Sequence, residues 1–160
     1  MRTKPWLAWY PDDVEHEIEI PKKSLFSMLE ESAFNSPEKE AVIEEDVRWT
    51  YGTLYQKVID LADSLQKLGF KEGDRAALLF LNTKEYIVTY FAVLYAGGTV
   101  IQVNPLYTSA ETTGIFKDAE PEWAFGTVDQ EIKMAEASAG LRTKCIISKK
   151  AQLVSEAWSI

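Results

Sequence analysis

Between Glu85 and Glu111 the chain carries no Asp, Glu, Lys, Arg or His, and this uncharged window constrains the fold more than any other feature. At its heart is Tyr86-Ile-Val-Thr-Tyr-Phe-Ala-Val-Leu-Tyr-Ala-Gly-Gly-Thr-Val-Ile-Gln-Val-Asn-Pro-Leu-Tyr107. A window of this length must be tested as a membrane span, for which roughly 20 apolar residues suffice. Gly97-Gly98 would interrupt such a helix, and Gln102, Asn104 and Pro105 fall where its second half should be most apolar. Tyr90 and Tyr95 would sit deep in lipid, where polar groups without partners are costly. The window therefore reads as a buried helix, a Gly-Gly stop and a buried strand, and no transmembrane segment is expected.

The flanking sequence turns this reading into a fold class. Residues 75–81, Arg-Ala-Ala-Leu-Leu-Phe-Leu, form a continuous apolar run bounded by Asp74 and Asn82, as a strand covered on both faces requires. Asn82 or Thr83 caps the helix that follows, and residues 99–103 form a second buried strand, so residues 75–103 make a parallel βαβ unit. Phe91 and Leu94 are expected to face the sheet. The alternation repeats more weakly with a helix at 109–118, a strand at 123–125, a helix at 130–137 and a strand at 144–147. Upstream, residues 24–34 fit a short amphipathic helix capped by Ser24, and residues 41–43 and 47–50 fit a hairpin whose tip, Glu44-Glu-Asp46, is solvated. Thr50 caps a helix in which Leu54, Val58, Ala62 and Leu65 recur at helical spacing before Gly69. The fold class expected is an α/β domain with an open, mostly parallel sheet and flanking helices.

Residues 1–23 contain Pro5, Pro11 and Pro21 around Trp6, Trp9 and Tyr10, which suits an extended arm lying across a surface. The organisation expected is thus an arm over 1–23, an α/β domain over 24–148, and an unassigned tail over 149–160.

Composition excludes several function classes. The formal charge of −8, from 17 Lys+Arg and 25 Asp+Glu, disfavours binding to phosphate backbones, which depends on clustered cations. The single cysteine, Cys145, cannot form an internal disulfide, and the start of the chain fails as a secretory signal, so a cytoplasmic location is expected. Gly97-Gly98 follow a helix, whereas phosphate cradles follow a strand and open a helix, and neither G-x-G-x-x-G nor a P-loop occurs. His16 lies between Glu15 and Glu17 without a metal-ligand partner, and Cys145 opens an apolar run with no cationic helix start to activate it. Glu38, Glu40, Glu44, Glu45 and Asp46 lack the alternation of a calcium loop. No catalytic, cofactor-binding or metal-ligating residue is assigned.

Trp49-Thr-Tyr-Gly-Thr-Leu54 and Leu94-Tyr-Ala-Gly-Gly-Thr-Val-Ile-Gln-Val-Asn-Pro105 together resemble the first two core motifs of the AMP-forming acyl-CoA synthetase, adenylation-domain and luciferase superfamily. Gly73-Asp74-Arg75 and the segment from Leu79 to Tyr86 stand between them in the expected order. Gln102-Val-Asn-Pro-Leu-Tyr-Thr108 and the arm are most similar to bacterial long-chain fatty acid–CoA ligases, over residues 5 to 120. Thr53 stands where the family has Glu, removing a capping-box partner of Thr50. Leu81 and Lys84 stand in place of prolines, and Glu111-Thr-Thr-Gly114 is expected to disrupt a helix.

The resemblance implies an ATP-dependent activation of a fatty acid to acyl-AMP, then a thioester with CoA, with magnesium. The family's phosphate loop, its adenine-, magnesium- and ribose-binding residues and its catalytic lysine follow the region matched here. The expectation is therefore an N-terminal part of such a ligase, inactive alone, with no cofactor of its own. The alternatives are a non-catalytic interaction or oligomerisation module, forming homo-oligomers, and a small nucleotide-binding α/β protein unrelated to the ligases.

Overall fold

A computed structural model of the chain describes residues 4–148 and the backbone of 158–159. Met1, Arg2 and Thr3 of the arm and most of the 149–160 tail lie outside the described residues. The elements are α1 (Leu25–Asn35), the antiparallel hairpin β1 (Glu40–Glu44) and β2 (Val47–Thr50), α2 (Tyr51–Lys67), β3 (Arg75–Leu79), α3 (Lys84–Tyr95), β4 (Thr99–Gln102), α4 (Ser109–Ala119), β5 (Trp123–Thr127), α5 (Glu131–Ala137), β6 (Lys144–Ser148) and β7 (Trp158–Ser159). The main sheet runs β4-β3-β5-β6-β7, parallel except for β7, as the alternating helix and strand pattern requires.

Successive strand residues point to opposite faces, so an apolar run in the sheet feeds two cores at once. Ala76 and Leu78 pack with α1, α2, α3 and the hairpin on one face, beside Phe70, Trp123 and Phe125. Ala77 and Leu79 pack on the other with Phe116 of α4 and with Met134 and Ala137 of α5. The result is a three-layer α/β/α arrangement. Among the described residues no helix is long and apolar enough to cross a membrane.

Caps set the helix starts. Ser24, Thr50 and Thr83 each accept a hydrogen bond from the backbone N–H three residues on. Thr53 does not leave Thr50 idle: its N–H donates to Thr50 Oγ1 at 3.2 Å, and the two hydroxyls touch at 3.2 Å. Gly97 has φ +81°, and a Cβ on Gly98 would stand 2.5 Å from the Phe70 ring, so both glycines serve the tight turn into β4.

Four expectations need correction. Phe91 and Leu94 are only half-buried, while Val88, Thr89, Ala92, Val93 and Ala96 are buried. Small residues occupy the buried face of α3, and Phe91 packs half-buried against that core while meeting Tyr90 edge-on. The hairpin tip is not wholly solvated, because Glu44 accepts from both the backbone N–H and Nζ of Lys84 at 3.0 Å, pinning the tip to the start of α3. Residues 111–114 do not disrupt α4; Glu111 completes a capping box with Thr108 and the helix continues through Gly114. The arm does not lie across a surface: it holds a short 3-10 turn at Pro5–Trp9 without a buried residue, and Trp9 is 88% exposed.

At the amino-terminal rim of the sheet, Arg75 donates from its backbone N–H and guanidinium to Glu122 at 2.7 and 2.8 Å. These bonds hold the Glu122 carboxyl down to about 2. The depressed value means that the pair stabilises the fold above the ordinary carboxylate range near 4.3 and ceases to do so as pH falls towards 2. Both side chains are 41% exposed, so screening limits the contribution to about 1 kcal/mol.

Phe116→Ala should therefore lower the urea unfolding free energy by about 3–5 kcal/mol by leaving a cavity, and Phe91→Ala by clearly less. Glu122→Gln should be less stable than the parent chain at pH 7 by about 1 kcal/mol, with the gap closing between pH 4 and 2; urea titrations across that range read it directly.

Candidate functional site

Open parallel sheets bind ligands outside the carboxyl ends of their strands, because helix starts and loop backbone converge there. In this sheet β3 lies between β4 and β5, and the helices that follow β3 and β5 sit on opposite faces. Beside that crossing, a groove of about 470 Å³ opens at the ends of β3 and β4. Leu78, Phe80 and Val103 form its buried floor. Asn82, Tyr86, Gln102, Asn104 and Tyr107 supply its polar rim.

The rim is built by local turn chemistry. Asn104 Oδ1 accepts from Leu106 N–H at 2.9 Å, and its carbonyl accepts from Tyr107 N–H at 3.1 Å, so Asn104-Pro105 folds into a tight turn. Lys133 of α5 ties that turn down by donating to the Pro105 carbonyl at 2.6 Å. Tyr86, on the first turn of α3, lines the groove with Gln102; burial and then the neighbouring Tyr90 push its hydroxyl above the ordinary value, leaving it neutral at pH 7. Leu106, 79% exposed, stands on the outer lip.

No side chain lining the groove carries a formal charge at neutral pH. The arrangement can hold an uncharged group by amide and phenol hydrogen bonds over an apolar floor. It does not fit a triphosphate–magnesium pair, which needs fixed cations or backbone donors for the phosphates and carboxylates for the metal. Among the described residues no group of three or more His, Cys, Asp or Glu converges.

The residues weighed in the sequence lie apart from this groove. His16 meets Tyr10 edge-on in the exposed arm, with ring centroids 5.8 Å apart. Cys145 is half-buried, its sulfur 3.4 Å from Ser138 Oγ. Glu40 pairs with Arg48 and Glu44 with Lys84. Gly97 and Gly98 lie at the amino-terminal end of β4, the end of the sheet away from the groove. The sequence does not single out these rim residues: Tyr86, Gln102 and Asn104 lie in the uncharged window, which reads equally as a core, and Asn82 reads only as a candidate helix cap.

The sequence profile of the AMP-binding enzyme family matches residues 29–159. The long-chain-fatty-acid–CoA ligase of Bacillus subtilis strain 168 is 40% identical over 117 residues, 73% of this chain and 21% of that protein. The enzyme of the same description from Yersinia pestis is 39% identical over 110 residues, 68% of this chain and 20% of that protein. A solved benzoate CoA ligase from Burkholderia xenovorans LB400 superposes with a TM-score of 0.71 at 23% identity, covering 77% of this chain and 25% of that one, which shows the fold. The chain thus spans about a fifth of the length of the curated relatives it matches. Ordered motifs, a three-layer sheet and a profile match over most of the length converge on one conclusion: the chain belongs to the AMP-binding enzyme family.

Proposed function

We propose that this chain is the N-terminal part of a long-chain fatty acid–CoA ligase and that it supplies scaffold rather than chemistry. The observation that carries this reading is the 40% identity to a ligase of that description across only 21% of the ligase's length. The ligase reaction joins a fatty acid carboxylate to the α-phosphorus of ATP with release of pyrophosphate, and then passes the acyl group from AMP to the thiol of CoA. Both steps need groups that stabilise developing phosphate charge, and the groove at the carboxyl ends of β3 and β4 holds none. ATP, magnesium and CoA therefore belong to the whole ligase. On this reading residues 1–23 act as an arm, 24–148 as the α/β domain and 149–160 as a tail. A cytoplasmic location accords with the unpaired Cys145.

A second reading, a non-catalytic interaction or oligomerisation module, is favoured by the arm. Besides Trp9, Ile18 and Ile20 are 84% and 81% exposed, and exposed aromatics and aliphatics in series mark contact surfaces.

The purified chain, given ATP, magnesium, CoA and fatty acids of several lengths, should release no pyrophosphate and form no thioester above a protein-free blank. Turnover that survives repurification would sink the scaffold reading. For the second reading, removing residues 1–11 should weaken self-association measured by light scattering, and an unchanged mass would count against a role for the arm.

A further inference from the structure

Two side chains on the α4–α5 side of the sheet are buried with polar atoms to spare. Thr112 of α4 is 0% exposed and Gln130, in the turn between β5 and α5, is 8% exposed. Yet among the described residues Thr112 Oγ1 and Gln130 Oε1 meet no hydrogen-bond partner. Buried polar groups are otherwise almost always paired, with protein or with ordered water. Neither atom uses a local partner. Thr89 and Thr113 each donate to the carbonyl four residues back at 2.7 Å, whereas the Thr112 hydroxyl does not. Gln130 Nε2 donates to Asp129 Oδ2 at 2.7 Å, which fixes the amide: turned over, it would set two oxygens against each other.

The register of the sheet brings the two atoms to one level. α4 and α5 each return from the carboxyl end of one parallel strand to the amino end of the next, so the two helices run the same way. Phe116 and Met134 pack with Ala77 and Ala124, which are paired in register. Thr112 stands one turn before Phe116 and Gln130 one turn before Met134. Both therefore step towards the carboxyl end, over the next pair on that face, Leu79 and Gly126. Gly126 fits this placement, since a Cβ there would lie 3.2 Å from the Leu79 carbonyl oxygen and 3.3 Å from Gln130 Cβ. We propose that one buried water molecule binds between α4 and α5 at this level, donating to Gln130 Oε1 and hydrogen-bonded to Thr112 Oγ1.

The chemistry of the pair selects the occupant. Gln130 Oε1 only accepts, so the occupant must carry a hydrogen to donate, and the Thr112 hydroxyl then accepts or donates in turn. Leu79, Phe116 and Met134, all 0% exposed, close the surroundings, which excludes larger or charged molecules. A water that bridges two protein groups is nearly as favourable as a direct bond between them. Both side chains are shut away from solvent, so other parts of a longer protein do not reach them, and the inference stands apart from the ligase reading. The water ties α4 to the start of α5, where Lys133 holds the Pro105 turn, and so helps to fix the rim of the groove.

A crystal structure of the full chain should show density for one water within about 3 Å of both atoms. T112V, which keeps the shape and removes the hydroxyl, should raise the equilibrium constant for urea unfolding about tenfold, because the water then loses one of its two partners. In a Q130M background, where the water has already lost its acceptor, the same substitution should cost clearly less. Density without a water, or with each oxygen turned to a protein partner, overturns the proposal. So does a T112V chain as stable as the parent or more stable, which is the result for a dry hydroxyl. An equal cost of T112V in both backgrounds overturns the shared water as well. Should either variant fail to fold, the crystal structure of the parent chain decides.

Discussion

Everything in this structure hangs on the burial of β3 from both sides. Ala76, Ala77, Leu78 and Leu79 are all excluded from water, and no strand of the chain could hold that position if its side chains alternated with polar ones. At about 25 cal/mol per Å² of apolar surface, covering such a strand twice is a large driving force for bringing helices to both faces. The two cores share no side chain, yet each uses alternate residues of the same strand. Losing either helix layer would expose half of β3, so the layers depend on each other although they never touch.

Polar contacts fix the register that burial alone leaves open. At the amino-terminal rim, Asp74 accepts from Lys71 N–H and from Trp123 Nε1 through its carboxylate, and from Thr99 N–H through its carbonyl. One residue thus touches the turn before β3 and both strands beside it. Lys144 continues the line by lying over the Trp123 ring, 4.5 Å from its centroid, and donating to the Leu68 carbonyl. With both faces of β3 apolar, a slip of one residue there would still bury its side chains but would break these bonds together.

The two ends of the sheet therefore differ in kind. The amino-terminal rim is laced with charge and hydrogen bonds that the fold consumes internally. At the carboxyl-terminal rim the groove lining is neutral, with Asn82, Gln102 and Asn104 around an apolar floor and Leu81 and Leu106 left in solvent, while Lys133 on the Pro105 carbonyl and Lys84 on Glu44 are engaged beside it. A family whose reaction handles phosphate charge would be poorly served by this rim alone, which is why the scaffold reading assigns the chemistry to other residues of the ligase.

How much of this was written in the sequence depends on whether the signal was local. The uncharged window, the apolar run of β3 and the cap residues Ser24, Thr50 and Thr83 specified the elements and the parallel sheet, because spacing and capping act within a few residues. The face that α3 presents was not legible: a helix apolar all round has no polar side to point outward, and only the close approach of the sheet selected Ala92 and Val93 over Phe91. The same holds for Glu44, whose partner Lys84 is distant in sequence, and for the groove, whose Asn82, Gln102 and Asn104 come from separate loops that meet only when β3 and β4 lie side by side. The sequence by itself determined which segments are helix and strand and that they form an α/β sheet of this family. Tertiary structure alone decided which side of α3 is buried, which charges pair and where the open groove lies, since those depend on distances between residues far apart along the chain.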